Sequence, residues 1–123
     1  MKIRKFAAID IGSNAIRLLT HNVIEESGKK TQFRKNALMR VPVRLGEDSF
    51  TVGEISEHNI DRMVKAMKAF KLLMEVAGVE KYRACATSAM REANNGNEVL
   101  ATIATESGIQ VEVIDGKQEA AII

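Results

Sequence analysis

The sequence has little of what disulfide-bonded or zinc-binding proteins need. Its 123 residues contain one cysteine, one proline, two histidines and no tryptophan. A single cysteine, Cys85, cannot form an internal disulfide, and isolated histidines at 21 and 58 leave no zinc-ligand cluster. Because apolar residues surround Cys85, we predict a buried, inert thiol, which is compatible with the reducing cytoplasm.

Long apolar runs and an excess of one charge are also missing. No segment approaches the roughly 18 apolar residues of a membrane span. The apolar run near the N-terminus is soon interrupted by Asp10, which argues against a signal peptide. Eighteen basic and sixteen acidic residues give a net charge of +2, which is too small to indicate DNA or an anionic membrane. We therefore expect a cytoplasmic protein without a DNA or membrane partner, in which any anion site is local.

The residues that are present predict an α/β domain. Hydrophobic residues at 46% and charged residues at 28% are typical of one globular unit and exclude a disordered chain. Apolar runs at 5–11 and 15–24 predict an antiparallel hairpin. Alternating apolar residues at 39, 41, 43 and 45 predict a third strand, which Pro42 places at a sheet edge.

The second half of the chain predicts alternating helices and strands. Apolar residues recur at helical spacing from Ile60 to Met74, which predicts a helix that buries its methionines in the core. Ser56 is a candidate N-cap, with Thr51 starting a competing capping box, and Gly78 suits the C-terminal cap. Strands at 81–87 and 109–114, a helix at 97–107 and a last helix after Asp115 complete the order β-β-β-α-β-α-β-α, a mixed sheet with helices packed on it.

Three segments at predicted strand ends could carry chemistry, and the first follows Asp10. Gly12 lets the backbone approach a ligand, and the Ser13 hydroxyl and successive amides can donate to phosphate oxygens. Asp10 can hold a hydrated divalent cation. The alternative is that Gly12-Ser13-Asn14 only supplies the positive φ values of a tight hairpin.

The other two segments follow the fourth and fifth strands. Thr87 and Ser88 can cap a short helical turn, with Ser88 as the cap at an anion site, and Arg91 in that turn can reach a phosphate or pair with a surface carboxylate. Glu119 can stabilise the start of a helix, or it can orient a water molecule for attack on phosphorus. No Gly-x-x-x-x-Gly-Lys-Ser/Thr loop and no Gly-x-Ser-x-Gly elbow occur.

Nearly the whole chain resembles the N-terminal lobe of the exopolyphosphatase and guanosine pentaphosphate phosphohydrolase family. Four segments carry the resemblance in order and spacing: AAIDIGSNAIRLL, RLGEDSFTVGEIS, ATSAMREANNGNE and GIQVEVIDGKQEA. The family belongs to the actin-like ATPase superfamily, which implies a ribonuclease-H-like lobe with a five-stranded mixed sheet. It also implies a cleft between two lobes, where the terminal phosphate of polyphosphate or the 5′-terminal phosphate of guanosine pentaphosphate is hydrolysed with Mg2+.

The resemblance also implies roles for individual residues. Asp10 would help to hold Mg2+ through its waters, and Glu119 would orient or deprotonate the attacking water. Arg91 would contact phosphate oxygens and would be the second catalytic residue beside Glu119. With Ser88, predicted above as a cap at an anion site, the phosphate-binding positions are Gly12, Ser13, Asn14, Arg17 and Ser88.

The chain departs from the family pattern at two positions and lacks one motif. It has Ala15 where a serine is common and Gln118 where a glutamate is common. The second phosphate loop, Asp-x-Gly-Gly-Gly-Ser, is absent. We therefore expect 1–123 to be the first lobe of a two-lobed hydrolase, truncated before that loop and nearly inactive alone. Its apolar end, 120–123, predicts self-association, for example as a homodimer.

The sequence is also compatible with two other functions. The chain could come from a noncatalytic regulator that binds polyphosphate or guanosine tetraphosphate. It could also come from another actin-like protein, such as a sugar kinase or a chaperone ATPase. Glu119 favours an enzyme over a regulator, and a comparison of ATP with polyphosphate as substrate would separate the enzymes.

Overall fold

The computed structural model describes residues 2–115, except for the side chains of Phe33, Asn36 and Ala37. Within this range the strands form one sheet, in the spatial order β3-β2-β1-β4-β5. β1 pairs antiparallel with β2 and β2 with β3, whereas β4 runs parallel to both β1 and β5. The strands are β1 (Lys2–Ile11), β2 (Ala15–Glu25), β3 (Gln32–Pro42), β4 (Lys81–Ala86) and β5 (Glu112–Val113).

This mixed sheet confirms the predicted fold class. The antiparallel meander comes first, and the parallel strands follow through helical crossovers. β3 lies at the sheet edge and ends at Pro42, as the missing N–H of proline requires. The helix predicted after Asp115 lies outside the described residues.

The helices occupy the connections between the strands. A short helix α1 (Leu45–Glu47) runs into a π-helical turn (Asp48–Val52), and the long helix α2 (Glu57–Ala77) follows. The periodicity of the sequence predicts α2 but neither of the two short segments before it. Between β4 and β5 lie α3 (Ser88–Glu92) and α4 (Gly96–Ser107).

The long helix begins and ends where the sequence indicates. The Ser56 hydroxyl accepts a hydrogen bond from the Asn59 N–H at 3.2 Å, so Ser56 is the N-cap and the capping box at Thr51 is not used. Gly78 adopts φ 75° at the C-terminal cap, a left-handed conformation that favours glycine.

The core lies between α2 and the sheet. Met63, Met67 and Phe70 are at most 1% exposed and pack in one cluster with Ile9 and Ile16 of the hairpin. Each such side chain contributes roughly 1.5–3 kcal/mol when buried. The predicted role of the methionines as core residues is confirmed, and the buried thiol of Cys85 is confirmed as well.

Two strand predictions are wrong in extent. The Val43 N–H still donates to the Asn14 carbonyl at 3.1 Å, but β3 stops at Pro42 because the Val43 carbonyl accepts from the Leu45 N–H at 3.0 Å and the chain turns into α1. Val43 and Leu45 are therefore fully buried in the connection and are not part of an edge strand. β5 spans two residues and not 109–114, because the Ile109 N–H bonds locally to the Ser107 hydroxyl.

Candidate functional site

Three strand ends meet at one edge of the sheet. Ile11 of β1 and Ala86 of β4 are register partners in parallel strands. Beyond them, the Thr87 N–H donates to the Ile11 carbonyl at 3.1 Å, and the Ile114 N–H donates to the Ala86 carbonyl at 2.9 Å. The carboxyl ends of β1, β4 and β5 therefore lie side by side, where open α/β sheets place ligands.

The loop between β1 and β2 turns without a left-handed residue. The Gly12 N–H donates to the Ala15 carbonyl at 3.0 Å. Among residues 2–115, positive φ angles occur only at glycines outside this loop. The expectation that the loop supplies positive φ values is therefore wrong. Gly12 instead permits a close approach, since a Cβ there would lie 3.3 Å from the Ala15 carbonyl oxygen.

The carbonyls of this loop are bonded to the following segment of the fold, whereas two of its amides are not. The Ser13 carbonyl accepts from the Gly46 N–H at 2.9 Å, and the Asn14 carbonyl accepts from the Val43 N–H. The N–H groups of Ser13 and Asn14 donate no hydrogen bond to the described part of the chain. Because the carbonyls are bonded to the α1 segment, the loop is left with amide donors for an anion.

A polar cleft of about 380 Å³ opens at this edge. The Ser13 and Ser88 hydroxyl oxygens lie 3.3 Å apart and connect the loop to the start of α3. Of the predicted site residues that the structure describes, all except Arg91 are thus brought together here. The lining residues are Asp10, Gly12, Ser13, Asn14, Ala15, Arg17, Arg40, Thr87 and Ser88.

Asp10 and Arg17 form an ion pair across the hairpin. They are register partners, and Arg17 Nη2 donates to Asp10 Oδ2. The side chain of Asp10 is 18% exposed and that of Arg17 is 43% exposed, so the pair forms part of the cleft wall. The two residues neutralise each other here, while metal binding by Asp10 and phosphate binding by Arg17 stay predictions.

The carboxylate of Asp10 fits a hydrated magnesium ion. Its Oδ1 accepts no hydrogen bond within the described residues, so one oxygen is accessible to a cation or its water. Between residues 2 and 115 no cluster of three His, Cys, Asp or Glu side chains could enclose a metal. Mg2+ commonly takes one or two carboxylates and completes its shell with water and substrate phosphates. The site therefore suits an ion shared with phosphate and not one held by protein ligands alone.

The prediction that Ser88 caps a helix is wrong. Thr87 stands at the N-cap position of α3, and its side chain makes no capping hydrogen bond. The Thr87 hydroxyl donates to the Ile11 carbonyl at 3.4 Å, which fixes the end of β4 against β1. Ser88 is therefore the first residue of a five-residue helix, with its hydroxyl beside that of Ser13.

Arg91 does not line the cleft, although it lies in α3 at the same edge of the sheet. Arg91 Nη1 donates to the Ile114 carbonyl, which ties α3 to the end of β5. In this arrangement the Arg91 guanidinium meets a backbone carbonyl and not the surface carboxylate that the alternative offered. Glu119 lies outside the described residues. A phosphate contact by Arg91 and a catalytic role of Glu119 remain predictions.

Arg40 is a cleft residue that the sequence reasoning missed. It lies on β3 as the register partner of Arg17 on β2. The alternation of β3 puts Arg40 on a polar face, but the sequence does not reveal which β2 residue lies opposite. Only the pairing register brings Arg40 to the loop.

Comparison with known proteins decides the family. The model of the Ppx/GppA phosphatase family matches residues 23–123. The chain belongs to this family. A solved structure of the Aquifex aeolicus family member superposes with a TM-score of 0.87 at 32% identity, covering 96% of this chain and 37% of that one. Exopolyphosphatase 1 of Mycobacterium tuberculosis is 26% identical over 116 residues, which is 94% of this chain and 33% of that protein.

The Ppx/GppA chain also shares its fold with more distant proteins. The ethanolamine utilization protein EutJ from Carboxydothermus hydrogenoformans superposes with a TM-score of 0.53 at 14% identity, over 99% of this chain and 40% of that one. The family resemblance and the actin-like fold class are thereby confirmed. The chain spans about a third of the length of the curated exopolyphosphatases that it matches.

Membrane-spanning helices are absent between residues 2 and 115 of this Ppx/GppA chain. No helix in that range combines sufficient length with sufficient hydropathy to cross a bilayer.

Proposed function

We propose that the chain is the first lobe of a phosphoanhydride hydrolase. Its substrate is inorganic polyphosphate, or guanosine pentaphosphate at the 5′-terminal phosphate. The observation that carries this proposal is the polar cleft at the strand ends, where the amides of Ser13 and Asn14 have no partner among the described residues. Membership of the Ppx/GppA family and the similarity to the mycobacterial exopolyphosphatase support it.

The proposed reaction is an in-line attack of water on the terminal phosphorus. A bond forms from the water oxygen to phosphorus while the bridging P–O bond breaks, and the shortened chain leaves as an anion. The Ser13 and Asn14 amides and the two serine hydroxyls hold the oxygens of the terminal phosphoryl group. Glu119 accepts the proton of the attacking water.

The Asp10–Arg17 pair adapts the cleft to a charged substrate. When Mg2+ is bound, it neutralises phosphate charge, and Asp10 would hold its water shell. Arg17 is 43% exposed, and its planar guanidinium can then pair with phosphate oxygens. Arg91, one turn into α3, supplies a further cation at the same edge.

Catalysis in this proposal needs more than the 123 residues. The sequence holds one phosphate loop, whereas a preorganised clamp around a phosphoryl group takes donors from both sides. We expect the 123-residue chain by itself to release little phosphate from polyphosphate. Rapid release by a preparation free of contaminating phosphatases would contradict the two-lobe proposal.

The test of the loop measures phosphate release from polyphosphate by the protein that contains this chain. We expect Ser13→Ala to lower turnover about tenfold, because one donor to a charged oxygen is lost. Ser27→Ala, in the exposed turn between β2 and β3, is the matched control and should retain full turnover. Equal activity of the two variants would remove Ser13 from the site.

A second variant tests the assignment of the base. Glu119→Gln should lower turnover strongly while polyphosphate binding is retained, since a carboxamide cannot accept the proton of water. Unchanged turnover would exclude Glu119 as the base. Polyphosphate binding without turnover by the unmodified protein would favour a regulator, and a preference for ATP would favour another actin-like activity.

A further inference from the structure

Arg40 is the cleft cation whose charge has no partner in the described structure. Arg17 pairs with Asp10, but Arg40 makes no hydrogen bond or ion pair with any described side chain or backbone group. It stands directly opposite Arg17 in the antiparallel β2–β3 pair. Like charges at opposed strand positions destabilise a sheet unless an anion lies between them. Because Asp10 already compensates Arg17, Arg40 is the cation of this strand pair that is left for a bound anion.

A second hollow adjoins the phosphate cleft at Arg40. Its volume is about 440 Å³, and it shares Asn14 and Arg40 with the cleft. The remaining lining residues are Pro42, Arg44 and Glu47. The cleft and the hollow are thus neighbours, and Asn14 and Arg40 lie on the border between them.

The charges of the hollow suit a long polyanion. Arg44 Nη1 lies 3.2 Å from Glu47 Oε1, but both side chains are about 70% exposed, so their ion pair is weak and easily exchanged. Arg44 can turn from Glu47 to a phosphate, which binds a guanidinium through two oxygens. Among the described residues, no aromatic ring on which a guanine base could stack lines the hollow.

We propose that Arg40, assisted by Arg44, binds the phosphoryl groups of a linear polyphosphate that extend beyond the group held at the Ser13 loop. This inference rests on the proposed function and makes it more specific, because it assigns this hollow to a phosphoanhydride chain. Arg40 then determines how affinity depends on chain length. Pyrophosphate carries only one phosphoryl group beyond the terminal one, so its affinity should depend on Arg40 less than that of longer chains does.

The test compares Arg40→Ala with the unmodified protein in calorimetric titrations with pyrophosphate, tripolyphosphate and long-chain polyphosphate at 0.15 M salt. We expect the variant to bind the two longer compounds about tenfold more weakly. Its affinity for pyrophosphate should change less than twofold. Arg40→Lys should show an intermediate loss, since a lysine keeps the charge but not the bidentate geometry.

Arg34→Ala is the matched control. Arg34 is an exposed arginine on the same strand, and its hydrogen bond runs to Gln32 at 3.4 Å, away from the cleft. The control should bind all three compounds as the unmodified protein does. A thermal unfolding curve of Arg40→Ala that matches the unmodified protein would show that the fold is intact.

Several outcomes would overturn the inference. Unchanged affinities in Arg40→Ala would overturn it. An equal loss of affinity for all three compounds would mean that Arg40 acts only through its charge and does not bind the extended chain. An equal loss in Arg34→Ala would point to net charge instead of a site. An unmodified protein that binds none of the three compounds would overturn the proposed function as well, which distinguishes that failure from one of the inference alone.

Discussion

At the scale of single residues, Gly96 joins two helices by contact with backbone. A Cβ at this position would lie 2.3 Å from the carbonyl oxygen of Met90, a distance that real Cβ atoms do not reach. Next to it, the Asn95 side chain bonds to both the N–H and the carbonyl of Ile55, at 2.9 and 3.0 Å. The start of α4 is therefore fixed against α3 and the segment before α2.

Gly96→Ala should destabilise the protein by about 1–3 kcal/mol, because α3 and α4 must separate to accept the methyl group. Urea unfolding followed by circular dichroism measures the change. Asn97→Ala, at the exposed neighbouring position of the same helix, is the control and should stay close to the unmodified protein. A Gly96→Ala variant of unchanged stability would mean that the Met90 carbonyl can move away.

The thiol of Cys85 is buried and should react slowly in the folded protein. Burial raises the pKa of the thiol, while the nearby Arg83 lowers it and Glu112 and Asp10 raise it. Because the thiolate is the reactive form, the thiol in the folded protein should alkylate slowly at pH 7 and quickly in denaturant. Equal iodoacetamide labelling rates in the two conditions would contradict a buried, unreactive thiol.

At the scale of elements, Asp48 connects the π-helical turn to the start of α2. Its Oδ2 accepts from the Ser56 N–H at 2.9 Å and from the Asn59 side chain at 2.8 Å. Burial raises the pKa of Asp48, but the hydrogen bonds from Ser56 and Asn59 and the charge of His58 together hold it below its ordinary value. The ionised carboxylate is thus the form that the fold prefers.

The lowered pKa of Asp48 predicts how stability depends on pH. A carboxyl with a lower pKa in the folded state contributes its full stabilisation above the unfolded pKa and loses it as pH falls through the folded pKa. Asp48→Asn should therefore lower the free energy of unfolding by about 1 kcal/mol at pH 7. Below about pH 4 the difference between the variant and the unmodified protein should shrink, because Asp48 is then becoming protonated in the unmodified protein. Parallel acid unfolding curves would show that Asp48 does not contribute.

At the scale of the whole molecule, apolar side chains remain uncovered at the end of α2. Leu72, Leu73 and Val76 are 61, 42 and 88% exposed. Exposed apolar groups of this kind are typical of interaction surfaces. Self-association, expected from the apolar residues 120–123, which lie outside the described structure, therefore has a second candidate surface on α2.

Self-association through α2 can be tested by placing a charged side chain on its exposed apolar surface. We predict that light scattering of the unmodified chain shows species larger than a monomer at high concentration, and that Val76→Glu shifts them toward the monomer. Ala69→Glu adds the same charge at another exposed position of α2 and should leave the distribution unchanged. A strictly monomeric chain at high concentration would exclude self-association altogether.

Much of the architecture could be predicted because its signals are local. The Ser56 and Gly78 caps, the buried methionine stripe and the edge position of Pro42 each follow from one residue type at one spacing. The extent of β3 and β5 could not be predicted. Val43 alternates as a strand residue would, but its carbonyl accepts from the Leu45 N–H in a turn that the apolar alternation does not reveal.

The sequence by itself determined the family, the order of the strands and the long helices, and most residues of the polar cleft, because Asp10, Gly12, Ser13 and Asn14 lie in one short segment and carry their donors and acceptors with them. Only the tertiary structure decided the pairings among cleft residues. It joined Arg17 to Asp10, directed Arg91 to the Ile114 carbonyl and placed Arg40 opposite Arg17. The physical reason is that strand register and crossovers set distances between residues far apart in the chain, and no local spacing encodes them.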